Sequence, residues 1–253
     1  MGICCGGAKV STRKAKITHL FHSSFLVETE NHTLIFDYFD YTCHHIINSS
    51  KILTSDFFNN RKNVYVFVSH SHKDHFDPEI FQWKESNPDI RYILSNDVEL
   101  NEQISDTYFV SKNEETKIDS LKINTYGSTD LGVSFLIEVD GLIIFHSGDL
   151  NWWHWQNDSK ETQLKEEKDF KSEVDKLIGK EIDMAFVPAD PRLQEFYYLA
   201  CKYFIETIKP KVLFPMHFSD KFNIPKKLSK KLQHLDTNIA VITEKNKEFL
   251  YKK

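Results

Sequence analysis

Three histidines and two aspartates are packed into the stretch VFVSHSHKDHFDP (residues 66–78), which follows directly on an apolar run. Imidazole nitrogen and carboxylate oxygen suit zinc, manganese or iron, and no cysteine lies near enough to make a thiolate site. His70 and His72 stand two apart, so on a strand continuing from Val64 their rings share one side, while Asp74 and His75 follow round the loop. Such donors hold a divalent cation. A cation held in this way lowers the pKa of water from 15.7 towards about 7 and makes it a nucleophile near neutral pH.

The elements that must position these groups show first in a repeat. SSFLVETENHTLIF (residues 23–36) and VSFLIEVDGLIIF (133–145) are nearly one phrase: a Ser-Phe-Leu-aliphatic-Glu strand, a polar turn, then an apolar strand ending in Phe. Two such hairpins half a chain apart predict two similar halves, each supplying a sheet, packed face to face. Apolar runs at 64–68, 90–94, 184–187, 212–214 and 239–242 read as further strands. Helical spacing places Phe196, Tyr197, Ala200, Phe204, Ile205 and Ile208 on one face of a helix stopped by Pro210. Further helices are predicted over about 161–179 and 225–235. The fold class is α/β, with helices outside two sheets. With no linker or low-complexity tract, residues 16–253 read as one domain behind a flexible tail, residues 1–15.

Composition sets the bounds. The chain has 253 residues, 27% of them charged, with a formal charge of −5 and both signs interspersed, which disfavours a nucleic-acid partner. No apolar run approaches the roughly 20 residues that span a bilayer, and the start lacks the apolar core of a secretory leader, so a soluble, cytoplasmic protein is expected. Four cysteines, with Cys4 and Cys5 adjacent, make no disulfide framework, and Cys43 and Cys201 read as buried thiols. Gly2, the two thiols, Lys9, Arg13, Lys14 and Lys16 would suit an acylated tail on anionic lipid. Gly6 stands where that signature wants Ser or Thr, so a free tail is the plainer expectation. Oligomeric state is not encoded legibly.

HSHKDH matches the H-x-H-x-D-H signature of the metallo-β-lactamase-fold hydrolases, which it resembles over most of the chain. The resemblance implies a four-layered αβ/βα sandwich with two pseudo-symmetric halves. It implies that His70 and His72 hold one metal, that Asp74, His75 and His217 hold a second, and that Asp149 bridges the two. The implied cofactor is one or two divalent ions, zinc or alternatively manganese or iron. Asp74 would also be catalytic, orienting the attacking hydroxide. THLFHSSFLVE, LIFDYFD and FHSGD resemble the branch containing ascorbate-6-phosphate lactonase and N-acyl-phosphatidylethanolamine phospholipase D.

This chain departs from the family at one position. The third histidine of the first metal site is missing from TYGSTDLGVSF (125–135), and the only histidine between His75 and Asp149 is His146. Substitutes are Ser128 or Asp130 in that turn, His146 itself, or His154 in LNWWHW. Trp152, Trp153 and His154 are expected to wall a substrate pocket, with His22, Asp190 and Arg192 as further substrate contacts, although an Arg192–Asp190 pair pinning its turn is the plainer reading of those two. His19, His32, His44, His45 and His234 have no partner spacing and read as surface or core. The expected activity is metal-dependent hydrolysis of a small ester-like bond, lactone or phosphodiester, in a small-molecule substrate. Two alternatives differ in class: a degenerate member that binds metal without turnover, and a membrane-surface lipid hydrolase attached by its tail.

Overall fold

The computed structural model describes residues 13–39 and 51–253. Its first sheet contains β1 (Lys14–Phe21), β2 (Ser24–Glu28), β3 (Thr33–Phe36), β4 (Val64–Val68), β5 (Arg91–Ser95) and β6 (Thr107–Val110), and β14 (Glu248–Lys252) closes its β1 edge. The second contains β7 (Glu115–Ile118), β8 (Leu121–Tyr126), β9 (Ser134–Val139), β10 (Leu142–His146), β11 (Met184–Pro188), β12 (Val212–Met216) and β13 (Asn238–Ile239). The order β14-β1-β2-β3-β4-β5-β6 is matched strand for strand by β7-β8-β9-β10-β11-β12-β13. In each sheet the first three pairings are antiparallel and the last three parallel. The repeated phrase is therefore a repeated topology. Phe25 pairs with Phe36 in one copy, and Phe135 with His146 in the other.

Alternation along the strands sorts the core. Phe36, Phe67 and Phe135 point between the sheets, with Phe67 and Phe135 edge-on at 5.3 Å. Val64, Val66 and Val68 point outward under the short α1 (Ser55–Phe58) and a 3₁₀ segment, Pro78–Glu85, whose Ile80 and Trp83 complete that layer. On the other outer face α2 (Lys160–Asp175), α3 (Leu199–Ile208) and α4 (Asn223–Lys231) cover the second sheet, with Phe145 stacked on Phe204 at 5.1 Å. The result is the four-layered sandwich. β1 begins at Lys14, inside the stretch expected as tail, while residues 1–12 lie outside the described residues together with Cys4, Cys5, Cys43, His44 and His45. The helix expected through Gln194 is broken there by a left-handed φ of 54°, so a 3₁₀ turn, Pro191–Phe196, precedes α3. No helix among the described residues is long and apolar enough to cross a membrane.

Candidate metal centre

The parallel strands β3, β4, β10, β11 and β12 deliver their C-terminal ends to one edge of the sandwich, the usual place for a site on open sheets of this kind. Just beyond those ends stand Asp37, the His70 to His75 loop, Asp149, Asp190 and His217. Asp37 is the hub. Its buried carboxylate accepts the Ser69 N–H at 2.7 Å, the Ser69 hydroxyl at 2.6 Å and the His75 Nδ1–H at 2.7 Å. Because the Ser69 hydroxyl donates to Asp37, its oxygen receives Nδ1–H of His70 at 3.0 Å, which leaves Nε2 of His70 as a bare lone pair. His217 is fixed in the same way by Asp190 at 3.1 Å, and His22 by the Ser219 hydroxyl at 3.0 Å.

In this way four rings are anchored at Nδ1, and each turns Nε2 inward. Nε2 of His22, His70, His75 and His217 is buried without a hydrogen-bond partner, as is Oδ1 of Asp149. Asp149 lies among them, with Oδ1 3.2 Å from His75 and 3.3 Å from His217, and Oδ2 3.6 Å from His70. Two groups of donors result: His22, Asp74, His75 and His217, and beside them His70, His72 and Asp149. Buried polar atoms left without partners cost about 1–3 kcal/mol each, so a convergence of five requires something to satisfy it. Neutral imidazoles backed by carboxylate or hydroxyl, with carboxylates between them, fit divalent cations.

The electrostatics of the bare protein agree. Burial opposes charge on His217, yet Asp149 and Asp190 hold its pKa up to about 9, and Asp149 and Asp37 hold His75 well above 6.5. Asp149, despite its burial, is kept well below the ordinary carboxylate value by the same two rings. Burial and the neighbouring His75 lower His70 to about 4, and burial with His217 lowers His22 to about 4. Two imidazolium rings thus stand among four carboxylates, Asp37, Asp74, Asp149 and Asp190, all held below the ordinary value, a balance that favours further positive charge.

Several expected residues stand elsewhere. His146 is no free ligand: Nε2 donates to the Ser23 carbonyl at 3.0 Å and Nδ1 accepts the Gly148 N–H at 3.2 Å. Its ring is the counterpart of Phe36 in the repeated hairpin and stacks on Phe36 at 4.9 Å, so it is a core ring. His154 packs on Phe196 at 4.3 Å and belongs to neither donor group. Trp152, expected at the substrate, stacks on Phe170 of α2. Asp190 reaches His217 and Arg192 and is buried behind them. His22, expected at the substrate, stands within the second donor group, 3.3 Å from Asp74.

In front of the donors lies a cavity of about 510 Å³ lined by His72, Asp74, Asp149, Trp153, Arg192 and His217, with Trp155, Thr129, Asp130, Asp158 and Glu166 at its wall. Trp153 and Trp155 stack at 5.9 Å, and the Arg192 guanidinium lies 5.9 and 5.7 Å from their rings. Asp37, Ser219, Asp158 and Glu166 were not marked by spacing. Only Asp37 carried a signal, a carboxylate directly after an apolar strand.

A β-lactamase superfamily domain matches residues 16–217. Among solved structures the chain is similar to a metallo hydrolase from the archaeon Ignicoccus hospitalis, with a TM-score of 0.64 and 18% identity over 94% of this chain and 98% of that one. It is similar to a metallo-β-lactamase fold protein from Bacillus subtilis (TM-score 0.62, 12% identity, 95% and 100% covered). A metal-dependent hydrolase from Parabacteroides distasonis gives a TM-score of 0.61 at 18% identity, with 91% and 94% covered. Among curated proteins no relative matches it in sequence. At these identities the solved structures speak for the fold, and the domain match speaks for descent. The chain belongs to the β-lactamase superfamily and has the metallo-β-lactamase fold.

Proposed function

We propose that this protein hydrolyses a small carboxylic ester or lactone, using up to two divalent ions. The observation that carries the reading is the convergence of four bare imidazole nitrogens and a bare Asp149 oxygen, all buried, at the floor of an open cavity. Bound there, such ions supply Lewis acidity and lower the pKa of water. The chain's own groups supply the rest. Asp74, with its side chain 46% exposed, faces the cavity beside His22 and is placed to take and orient the proton of an attacking water. Asp37 and Asp190 hold His75 and His217 in the tautomer with Nε2 free. Trp153 and Trp155 wall off solvent and offer an apolar face to the substrate.

A carboxylic ester or lactone is favoured over a phosphodiester by the cavity wall. Asp130, Asp158 and Glu166 line it, and the single Lys or Arg in the lining, Arg192, already spends Nε and Nη2 on Asp190. An anionic phosphodiester would meet the Asp158 and Glu166 carboxylates on entry. Zinc suits the imidazole-rich donor group. A small-molecule substrate and a cytoplasmic setting fit the interspersed charges. The test is turnover of lactone, carboxylic ester and bis(p-nitrophenyl) phosphate panels by metal-loaded protein and by Asp149→Ala. Lactone or ester turnover abolished by chelator and reduced about 10³-fold or more in the variant is expected. Turnover indifferent to chelator, or confined to the phosphodiester, overturns the reading.

A further inference from the structure

The two donor groups are unequal: His22, Asp74, His75 and His217 surround one position, but only His70, His72 and Asp149 the other. We propose that Asp130 is the fourth protein ligand of the poorer position, adding a carboxylate of its own to the two imidazoles and the shared Asp149. The inference rests on the metal-dependent reading above.

The distances speak first. Asp130 Oδ2 lies 3.8 Å from Nδ1 of His72, and Asp149 Oδ2 lies 3.6 Å from Nε2 of His70. Both are too long for hydrogen bonds. Both are close to the ~3.4 Å that separates two ligand atoms about 2.1 Å from a shared tetrahedral ion. The partly exposed Asp130 side chain stands beside His72 but outside the cluster of His70, His72 and Asp149, and it has only to swing inward to join them. Among the described residues the Asp130 carboxylate has no Lys or Arg partner and no hydrogen bond, so nothing else employs it.

Its backbone, by contrast, is clamped. The Asp130 N–H donates to the Ser128 hydroxyl at 3.1 Å, and Ser128, the other candidate in the turn, is not in the lining of the cavity. The Thr129 hydroxyl donates to the Asn151 carbonyl at 2.6 Å and ties the loop to the segment that carries Asp149. The Val133 N–H donates to the Ser69 carbonyl at 2.9 Å and ties it to the segment that carries His70. Gly132, at φ +71°, lies so close that a Cβ there would stand 1.9 Å from the Ser69 carbonyl oxygen. The loop is thus held between the two ligand-bearing segments with one carboxylate left over.

Internal symmetry points the same way. The β1–β2 connection contributes His22 to the richer group, and the β8–β9 connection that carries Asp130 is its counterpart in the second sheet. The competitors fail on engagement or place: both nitrogens of His146 are hydrogen-bonded, and His154, whose buried Nδ1 has no partner, stands against Phe196 and outside the lining of the cavity that Asp130 and His72 share. A carboxylate in place of an imidazole also changes preference, because two imidazoles and a carboxylate with open positions suit Fe²⁺ or Mn²⁺ better than an all-imidazole set does.

Metal-free protein loaded with Mn²⁺ or Zn²⁺ tests this, with ions per chain measured by elemental analysis and affinities by competition against a chromophoric chelator. Wild type should hold two ions. Asp130→Ala and Asp130→Asn should keep one tightly and weaken the other at least about 100-fold, beyond the cost of losing an outer partner of a ligand. His154→Ala should keep both, and Asp130→His should bind two with the preference moved towards Zn²⁺. Two ions of wild-type affinity in Asp130→Ala, or a single ion in saturated wild type, overturns the assignment while leaving hydrolysis standing. No ion in wild type removes both readings. Crystals of the Mn²⁺-loaded wild type decide independently of any variant: an Asp130 oxygen on the ion supports the assignment, and an ion ligated without it refutes it.

Discussion

At the scale of single residues the centre depends on groups that never reach the cavity. Asp37 takes three donors and fixes both His70, through Ser69, and His75 directly. Asp37→Asn replaces one acceptor oxygen by an N–H that must face donors. Metal affinity should fall about 10- to 100-fold, the usual cost of losing the partner that orients a ligating imidazole. Chelator competition reads this directly, and unchanged affinity would show that His75 needs no such support. The ligand loop was legible because its donors are neighbours in sequence and because Asp149 and His217 follow apolar runs. Asp37 was not, since its partners lie 32 and 38 positions away and meet it only through the parallel pairing of β3 with β4. His146 misled because an imidazole facing Phe36 and one facing a cation have the same sequence signature.

Among the elements, the interior strands announced themselves and the edges did not. β4 is buried at every position, whereas β7 and β14 alternate exposed with half-buried residues and carry Lys and Glu that suit a helix surface equally well. β1 begins in a basic stretch that sequence alone assigned to the tail. What holds β14 in place is Asp183, buried at the start of β11, which accepts the Tyr251 hydroxyl at 2.8 Å, the Lys253 ammonium at 2.9 Å and the Ile143 N–H at 2.8 Å. Asp183→Ala leaves those donors unsatisfied and should destabilise the fold by roughly 2–4 kcal/mol. The urea midpoint measures it. Activity per folded molecule should be unchanged, because Asp183 sits away from the cavity, and a shift under about 0.5 kcal/mol would mean that the C-terminal strand is held by its ladder alone.

For the molecule as a whole, the charge held at the seam between the sheets makes stability depend on pH when no ion is bound. His217, with its pKa at about 9, and His75, well above 6.5, are raised groups. Their contribution is complete below about pH 6.5 and is lost as pH rises through their folded values. Asp149 and Asp74 are depressed below the usual 3.8, so theirs is present above that value and lost as pH falls. The metal-free urea midpoint should therefore decline between pH 6.5 and 9, while metal affinity rises over the same range because those protons compete with the ion. A flat metal-free profile would contradict the pairing of Asp149 with both rings.

The opposite end of the sandwich is latched without any such dependence on an ion. There the His32 ring bridges the Asp140 carboxylate, at 2.9 Å, and the Ser120 hydroxyl, at 2.7 Å, and joins turns of both sheets. Assembly of the other end waits much longer. The Ser219 hydroxyl that steadies His22 comes from 197 positions further along the chain. A ribosome therefore has to release the chain through Ser219 before the His22 ring of the centre has its support. A chain truncated before β12 has no way to complete the centre, because His217 and Ser219 both follow that strand.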